Sequence, residues 1–271
     1  MSEATQPAQS NPLILESKQD GIATLTLNRP DRLNAINKDL AVALNESLGR
    51  ITTDKSLYVV VITGAGRAFC AGGDLGVIGE GRKKNDTTEL EPLLRAGMHA
   101  VLKIRSMAQP VIAAVNGAAA GAGMNIALAA DIRIASENAS FGQNFINIGL
   151  FPDYGGTYFL PQLVGPSKAA EMFYTGDMID AREALRLGIV SRVVPDAELG
   201  SETLKLAKKI ADAPSVSIRA MKNALFGSHK LELEKALDDE VEQQLKCFRS
   251  PDCREGVTAL LEKRPPKFHN W

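Results

Sequence analysis

NGAAAGAGMNIALAAD, residues 116–131, crowds three glycines and seven alanines into sixteen positions, with one amide, Asn125, in the apolar run that follows. Small residues let backbone approach backbone, or a ligand, where a larger side chain would block it. The stretch follows PVIAAVNG, a Pro-led apolar run that reads as a strand, and it precedes a second strand, IRIAS. Strand, glycine turn, short helix and strand is the signature of an α/β unit. The helix predicted over 122–130 would point its N-terminal N–H groups at the turn, a place that favours negative charge.

The same alternation extends outward. IATLTLN (22–28) alternates with the period of a strand and is stopped by NRP. LNAINKDLAVALNESLGRI repeats apolar residues at helical spacing. LYVVVITG is a continuous apolar run of the kind found in buried parallel strands. A helical pattern runs from about Glu89 to Arg105, and a Gly/Pro-rich segment follows IRIAS. From about Ser167 the chain is mostly helical, interrupted by the strand-like GIVSRVV. The fold class is α/β with a helical C-terminal region. The expected organisation is a loose polar tail over 1–11, a core domain over 12–200 and a helical region over 201–271. GEGRKKNDTTELE (79–91) reads as the most mobile loop, set against the end of any pocket.

Composition narrows the function. The chain has 271 residues, 45% hydrophobic and 23% charged, with a formal net charge of −1. That balance gives no electrostatic reason for nucleic acid or a membrane surface as partner. MSEATQPAQSN lacks the apolar segment of a signal peptide. Cys70, Cys247 and Cys253 are too few and scattered for a disulfide framework, so a reducing, cytoplasmic setting is expected. His99, His229 and His269 have no metal-ligand spacing.

Two glycine clusters carry the chemistry. TGAGRAFCAGGDL (63–75) has Phe69, and Gly121-Ala-Gly123 has Ile126, where a dinucleotide fingerprint needs its third glycine. Each cluster instead exposes backbone N–H groups at a turn. Two such groups converging on one point form an oxyanion hole. The same glycines would also serve tight strand–helix packing.

NRPDRLNAI, AFCAGGDL, PVIAAVNGAAAGAG and SFGQNFINIGLFPDYGGTYFLPQLVG, in this order, resemble the enoyl-CoA hydratase/isomerase (crotonase) family, as do TGDMIDAREALRLGIVSRVVP and EGVTALLEKRPPKF. The resemblance runs from about Leu13 to the C-terminal segment. It implies a crotonase-like core of repeated β-β-α turns, C-terminal helices that assemble trimers or hexamers, and an acyl-CoA thioester substrate. No metal or redox cofactor is implied, because coenzyme A arrives as part of the substrate. By position, the thioester oxygen would accept from the backbone N–H groups of Gly73 and Ala122. Arg32, Leu33, Ala71, Asp74 and Leu75 fall where family members wrap the CoA moiety, and Lys263 and Lys267 are candidate phosphate contacts.

Where the family's hydratases carry two glutamates, this sequence has Asn125 and Phe145. Neither side chain can take up and return a proton near neutral pH. Of the carboxylates between Asn116 and Pro161, Glu137 lies in a polar turn, Asp131 is expected to brace backbone, and Asp153 sits in GLFPDYGG, where several family isomerases place a catalytic carboxylate. The alternative for Asp153 is an Asx-type cap of the following helix. Phe145, Ile148, Leu150 and Phe151 suggest an apolar pocket around it, Asn125 would orient the substrate or bond to Asp153, and Asn147 and Tyr154 are further candidates. The resemblance thus implies an isomerase that shifts a double bond, or opens a ring epoxide, with Asp153 as proton shuttle. A hydratase, a CoA-thioester hydrolase and a non-catalytic CoA- or RNA-binding member remain as alternatives.

Overall fold

The computed structural model describes residues 12–84, 88 and 90–268. In chain order the strands are β1 (Ile14–Gln19), β2 (Ile22–Leu27), β3 (Val59–Gly64), β4 (Ala68–Cys70), β5 (Val111–Val115), β6 (Ala118–Ala120), β7 (Ile132–Ser136), β8 (Ser140–Gly142), β9 (Met178–Asp180) and β10 (Arg192–Val194). The helices are α1 (Lys38–Thr53), α2 (Leu75–Lys84), α3 (Leu90–Ser106), α4 (Ala122–Ala129), α5 (Gly156–Thr175), α6 (Ala181–Arg186), α7 (Leu199–Ala211), α8 (Ser215–Phe226), α9 (Lys230–Arg249) and α10 (Pro251–Leu261).

The strands form two sheets, in the orders β1-β2-β3-β5-β7-β10 and β4-β6-β8-β9. From β2 to β10 the larger sheet is parallel, and β1 pairs antiparallel with β2. Each of β3, β5 and β7 leaves the larger sheet, contributes the next strand to the smaller one and returns through helix. These are the repeated β-β-α turns implied by the resemblance. The continuous apolar run of β3 has a direct cause: Val60 and Ile62 face the main core, while Val59 and Val61 join a second core under α7. A strand covered on both faces has no reason to alternate.

α4 is buried at every position from Ala122 to Ala129, which explains its alanine-rich composition. Gly117 and Gly123 are the close-approach points. A Cβ on Gly123 would lie 2.2 Å from the Cys70 carbonyl oxygen, and one on Gly117 would lie 2.1 Å from that of Arg67.

Several sequence expectations need correction. The helical pattern over LNAINKDLAVALNESLGRI starts late: Pro30–Arg32 is a 3-10 turn, Leu33 and Asn34 have positive φ, and α1 begins at Lys38 behind an Asn37 cap. The loop expected over 79–91 is instead partly helical. Residues 79–84 close α2 and Leu90 opens α3, while 85–87 and 89 lie outside the described residues. The tail over 1–11 also lies outside them. The Gly/Pro-rich GTYFLPQLVGPSKAA is one helical run, kinked at Gly165 (φ 78°), which absorbs the break that Pro166 demands. The helices after residue 200 pack onto the rest of the fold: α7 covers the larger sheet, and α9 and α10 reach the cavity described below. Among the described residues, no helix is long and apolar enough to cross a membrane.

Candidate active site

A cavity of about 400 Å³ opens between the turn after β4, the N-terminus of α4, the segment 144–154 and helices α3, α9 and α10. Its walls include Arg32, Leu33, Ala71, Gly73, Asp74, Leu75, Ala122, Phe145 and Asp153. The structure therefore brings together most of the residues picked from sequence.

The mouth is built by NRPDRLNAI folding onto GAGRAFCAGGD. Asn34 is fully buried in a left-handed turn (φ 56°), a conformation that Asn tolerates better than most residues. Its Nδ2 donates to the carbonyls of Ala65 (2.9 Å) and Ala68 (2.8 Å), and its Oδ1 accepts from Arg29 N–H (2.9 Å). Three backbone bonds continue the seam: Ala71 N–H to Leu33 O (3.0 Å), Ile36 N–H to Gly72 O (2.7 Å) and Asp74 N–H to Ile36 O (2.9 Å). This local parallel bridge pairs Ile36 with Gly73 but uses neither the N–H nor the C=O of Gly73. Arg29, not singled out from the sequence, donates to Asp74 Oδ2 (2.8 Å), while Asp74 Oδ1 accepts from Gly76 N–H at the start of α2 (3.0 Å). Asp74 is thus fully engaged in holding the mouth.

The second turn lies against the first. Gly121 (φ 51°) is the N-cap of α4 and supplies no side-chain cap, so the N–H of Ala122 opens the helix without one. A Cβ on Gly72 would sit 2.9 Å from Ala120 O and 3.8 Å from Ala122 N, which shows how closely the two turns meet. Two backbone donors, Gly73 N–H and Ala122 N–H, thus belong to the wall of one cavity.

Asp153 is the other carboxylate in that wall. It is 6% exposed; Oδ2 accepts from Gln244 Nε2 (3.1 Å), and Oδ1 is buried without a hydrogen-bond partner. Burial, reinforced by the nearby charge of Glu240 and only partly offset by the Gln244 bond, pushes its pKa up to about 8. The Asx-cap alternative fails. The first turn of α5 is served from α9, where Glu240 accepts from Gly155 N–H (2.7 Å), Thr157 N–H (2.9 Å) and the Thr157 hydroxyl. Glu240 is itself 1% exposed, and burial raises its pKa to about 7.

Asn125 does not line the cavity; of its two expected roles, contact with substrate and a bond to Asp153, the structure shows the second. Its Nδ2 donates to the backbone carbonyl of Asp153 (2.7 Å), and its Oδ1 accepts from Gln143 Nε2 (2.6 Å). Placed under the first turn of α5, with Nδ2 where a Cβ on Gly156 would come within 2.5 Å, it locks the segment that carries Asp153. Ile148, Leu150, Asn147 and Tyr154 join Phe145 in the wall, but Phe151 does not; its N–H donates to Gln244 Oε1 (2.8 Å). Lys263 and Lys267 are exposed and do not line the cavity of the chain. Asp131 braces backbone as expected: Oδ2 accepts from Val111 N–H (2.7 Å) and pairs with Lys222 (2.8 Å). Glu137 is exposed.

Besides Arg29, sequence reasoning missed Gln244 and Glu240. The signal was available, because both fall on the buried stripe of α9 with Leu233, Leu237, Val241 and Phe248. Polar residues at core positions of a helix need a partner, and that requirement marks them.

A buried carboxylate in the cavity wall, two backbone N–H donors and apolar surroundings can polarise a carbonyl and move a proton beside it. The enoyl-CoA hydratase/isomerase family model matches residues 17–270. The chain is 37% identical over 257 residues to a crotonyl-CoA hydratase of Syntrophomonas wolfei, covering 94% of this chain and 97% of that protein. It is 38% identical over 260 residues to the 1,2-epoxyphenylacetyl-CoA isomerase of Escherichia coli K12, with the same coverage of 94% and 97%. The crystal structure of an enoyl-CoA hydratase from Mycobacterium avium subsp. paratuberculosis superposes with a TM-score of 0.86 at 32% identity, over 95% of this chain and 99% of that one. The chain belongs to the enoyl-CoA hydratase/isomerase family.

Proposed function

We propose that the chain is an acyl-CoA isomerase that shifts a double bond, or opens a ring epoxide, with Asp153 as its single proton carrier. One observation carries this reading: Asp153 has one oxygen anchored and the other unpartnered, in the same cavity wall as the Gly73 and Ala122 turns. In a 3-enoyl thioester, the carbonyl oxygen accepts from the two backbone N–H groups. Asp153 removes a proton from C2, and the electron pair delocalises over C2–C4 and the thioester oxygen as a dienolate. The resulting carboxylic acid returns the proton at C4, giving the 2-enoyl isomer with no net gain or loss of atoms. Desolvation makes the carboxylate a stronger base than it would be in water, and the apolar wall keeps the acid from losing its proton to solvent. Neither Asn125 nor Phe145 can serve as a second acid–base group.

The CoA portion is assigned to the mouth formed by Arg32, Leu33, Ala71, Asp74 and Leu75. Coenzyme A enters as part of the substrate, with no further cofactor. The proposal carries the family's assembly in threes or sixes, for which Val216, Met221 and Leu225 of α8 supply exposed apolar surface.

The test offers 3-enoyl-, 2-enoyl-, dienoyl- and ring-epoxide phenylacetyl-CoA to the protein and to Asp153→Asn, with products read by mass and absorbance. The expected result is a product of unchanged mass, its formation reduced about a hundredfold or more in the variant. Addition of water would favour the activity named for the hydratase relatives. Free CoA, or a fully active Asp153→Asn, would overturn the assignment.

A further inference from the structure

Helix α9 turns six residues into the core, two of them polar, and both polar residues are spent on the segment 151–157. Gln244 grips that segment at two points: Oε1 accepts from Phe151 N–H (2.8 Å) and Nε2 donates to Asp153 Oδ2 (3.1 Å). Glu240, one helical turn away, fastens Gly155 and Thr157. A Ser or Asn at the N-cap would close the first turn of α5 without charge. That position is Gly155, which has no side chain, and a buried carboxylate from another helix supplies the bonds. Burying a charge to do the work of a neutral cap is costly. Its consequence at the site is a negative charge behind Asp153, whose Oδ1 has no hydrogen-bond partner.

We propose that Gln244 and Glu240 are positioning residues for Asp153: Gln244 fixes which carboxylate oxygen is anchored and which is left unpartnered to take the proton, and Glu240 sets the charge behind it. The inference rests on the reading of Asp153 as the base. Glu240 is the charged group acting on Asp153, and Asp239, on the same helix, acts on Glu240 in the same sense. From its own turn comes Tyr154, whose hydroxyl donates to Leu93 O on α3 (3.4 Å) and whose ionisation is itself suppressed by burial and by Asp153. Asn125 on α4 and Gln143 after β8 face the turn without titrating. The two positioning residues act in opposite senses. The Glu240 charge raises the proton affinity of Asp153, and the Gln244 hydrogen bond lowers it.

The test is the pH profile of kcat/KM on 3-enoyl-CoA for the full chain, Glu240→Gln, Gln244→Met, Glu240→Asp and Asp153→Asn, with thermal unfolding measured alongside. The base form of Asp153 is the active one, so activity rises with pH through its pKa. Glu240→Gln should displace that rise to lower pH, and Gln244→Met to higher pH, each by about half a unit or more. Glu240→Asp keeps the charge and should keep the position of the rise. In Gln244→Met, kcat should fall more than KM changes. Folded variants that lose activity with the rise unmoved would overturn the inference and leave Asp153 as base. If Glu240→Gln does not fold, the direction found for Gln244→Met decides. Full activity in Asp153→Asn would instead sink the underlying reading.

Discussion

Gly123→Ala is a sharp probe of how the two turns are held. A Cβ at this position would lie 2.2 Å from the Cys70 carbonyl oxygen, 2.7 Å from the Cys70 Cβ and 2.8 Å from its carbonyl carbon. None of these atoms is the end of a flexible side chain. Cys70 closes β4, and the next residue, Ala71, is bonded to Leu33 O (3.0 Å). To bring the shortest contact from 2.2 Å to at least 3.0 Å, the first turn of α4 must withdraw from the β4 turn by most of an ångström. Ala122 N–H belongs to the retreating turn and Gly73 N–H to the one left behind. A misplacement of about 1 Å costs about a hundredfold in rate, comparable with losing one oxyanion donor. Overpacking should also cost about 1–3 kcal/mol of stability. The assay is steady-state kinetics on the thioester turned over by the parent protein, with thermal unfolding and the affinity of an unreactive acyl-CoA measured alongside. The expected result is a folded variant with kcat down about a hundredfold and ligand affinity much less affected. Gly200→Ala, whose Cβ meets nothing within 4 Å, is the control and should change neither. An unchanged kcat in folded Gly123→Ala would refute the claim that this contact sets the spacing of the donors.

Two further perturbations test the buried charges. The pKa of Asp153 rises from an ordinary 3.8 to about 8, so the fold prefers the protonated acid. The stability linked to that proton is present below pH 3.8 and is lost as pH rises through 8. Asp153→Asn should therefore gain melting temperature over the parent progressively between pH 4 and pH 9, by the equivalent of a few kcal/mol at the upper end; a difference independent of pH would contradict the burial argument. Lys222 is 6% exposed and pairs with Asp131 at 2.8 Å while donating to the carbonyls of Ile104 and Gln109. Lys222→Met takes the nearer cation from Asp131, leaving Arg105 at 3.7 Å and the Val111 N–H, and should cost about 1–3 kcal/mol in denaturant unfolding at neutral pH. A loss well below that range would mean the site is wetter than its burial implies.

The strands were legible where one physical signal dominated. β2 alternates and β3 runs unbroken because their faces meet different surroundings, and both appear close to the expected places. The three-residue strands β4, β6 and β8 carry too few side chains for any period, and they became visible only once paired. At the site, the small residues of 116–123 disclosed a close backbone approach, because no other residue type fits there. The role of Asn125 was left between substrate and Asp153 for a related reason. An amide in an apolar run announces a hydrogen-bonded partner, but the partner can be substrate, side chain or main chain, and here it is the carbonyl of Asp153. Gln244 and Glu240 lie 91 and 87 residues beyond Asp153, a pairing that only tertiary docking reveals.

The two halves of the site differ in how they can evolve. The donor pair is made of main chain, held by glycines whose substitution collides with backbone, so its variants are mostly broken ones. The surroundings of Asp153 are set by two side chains one turn apart on α9, reached by single-codon changes that leave the donor turns intact. On the proposed reading, a lineage could keep the donor turns constant while substitutions on one helix face retune the proton affinity of Asp153.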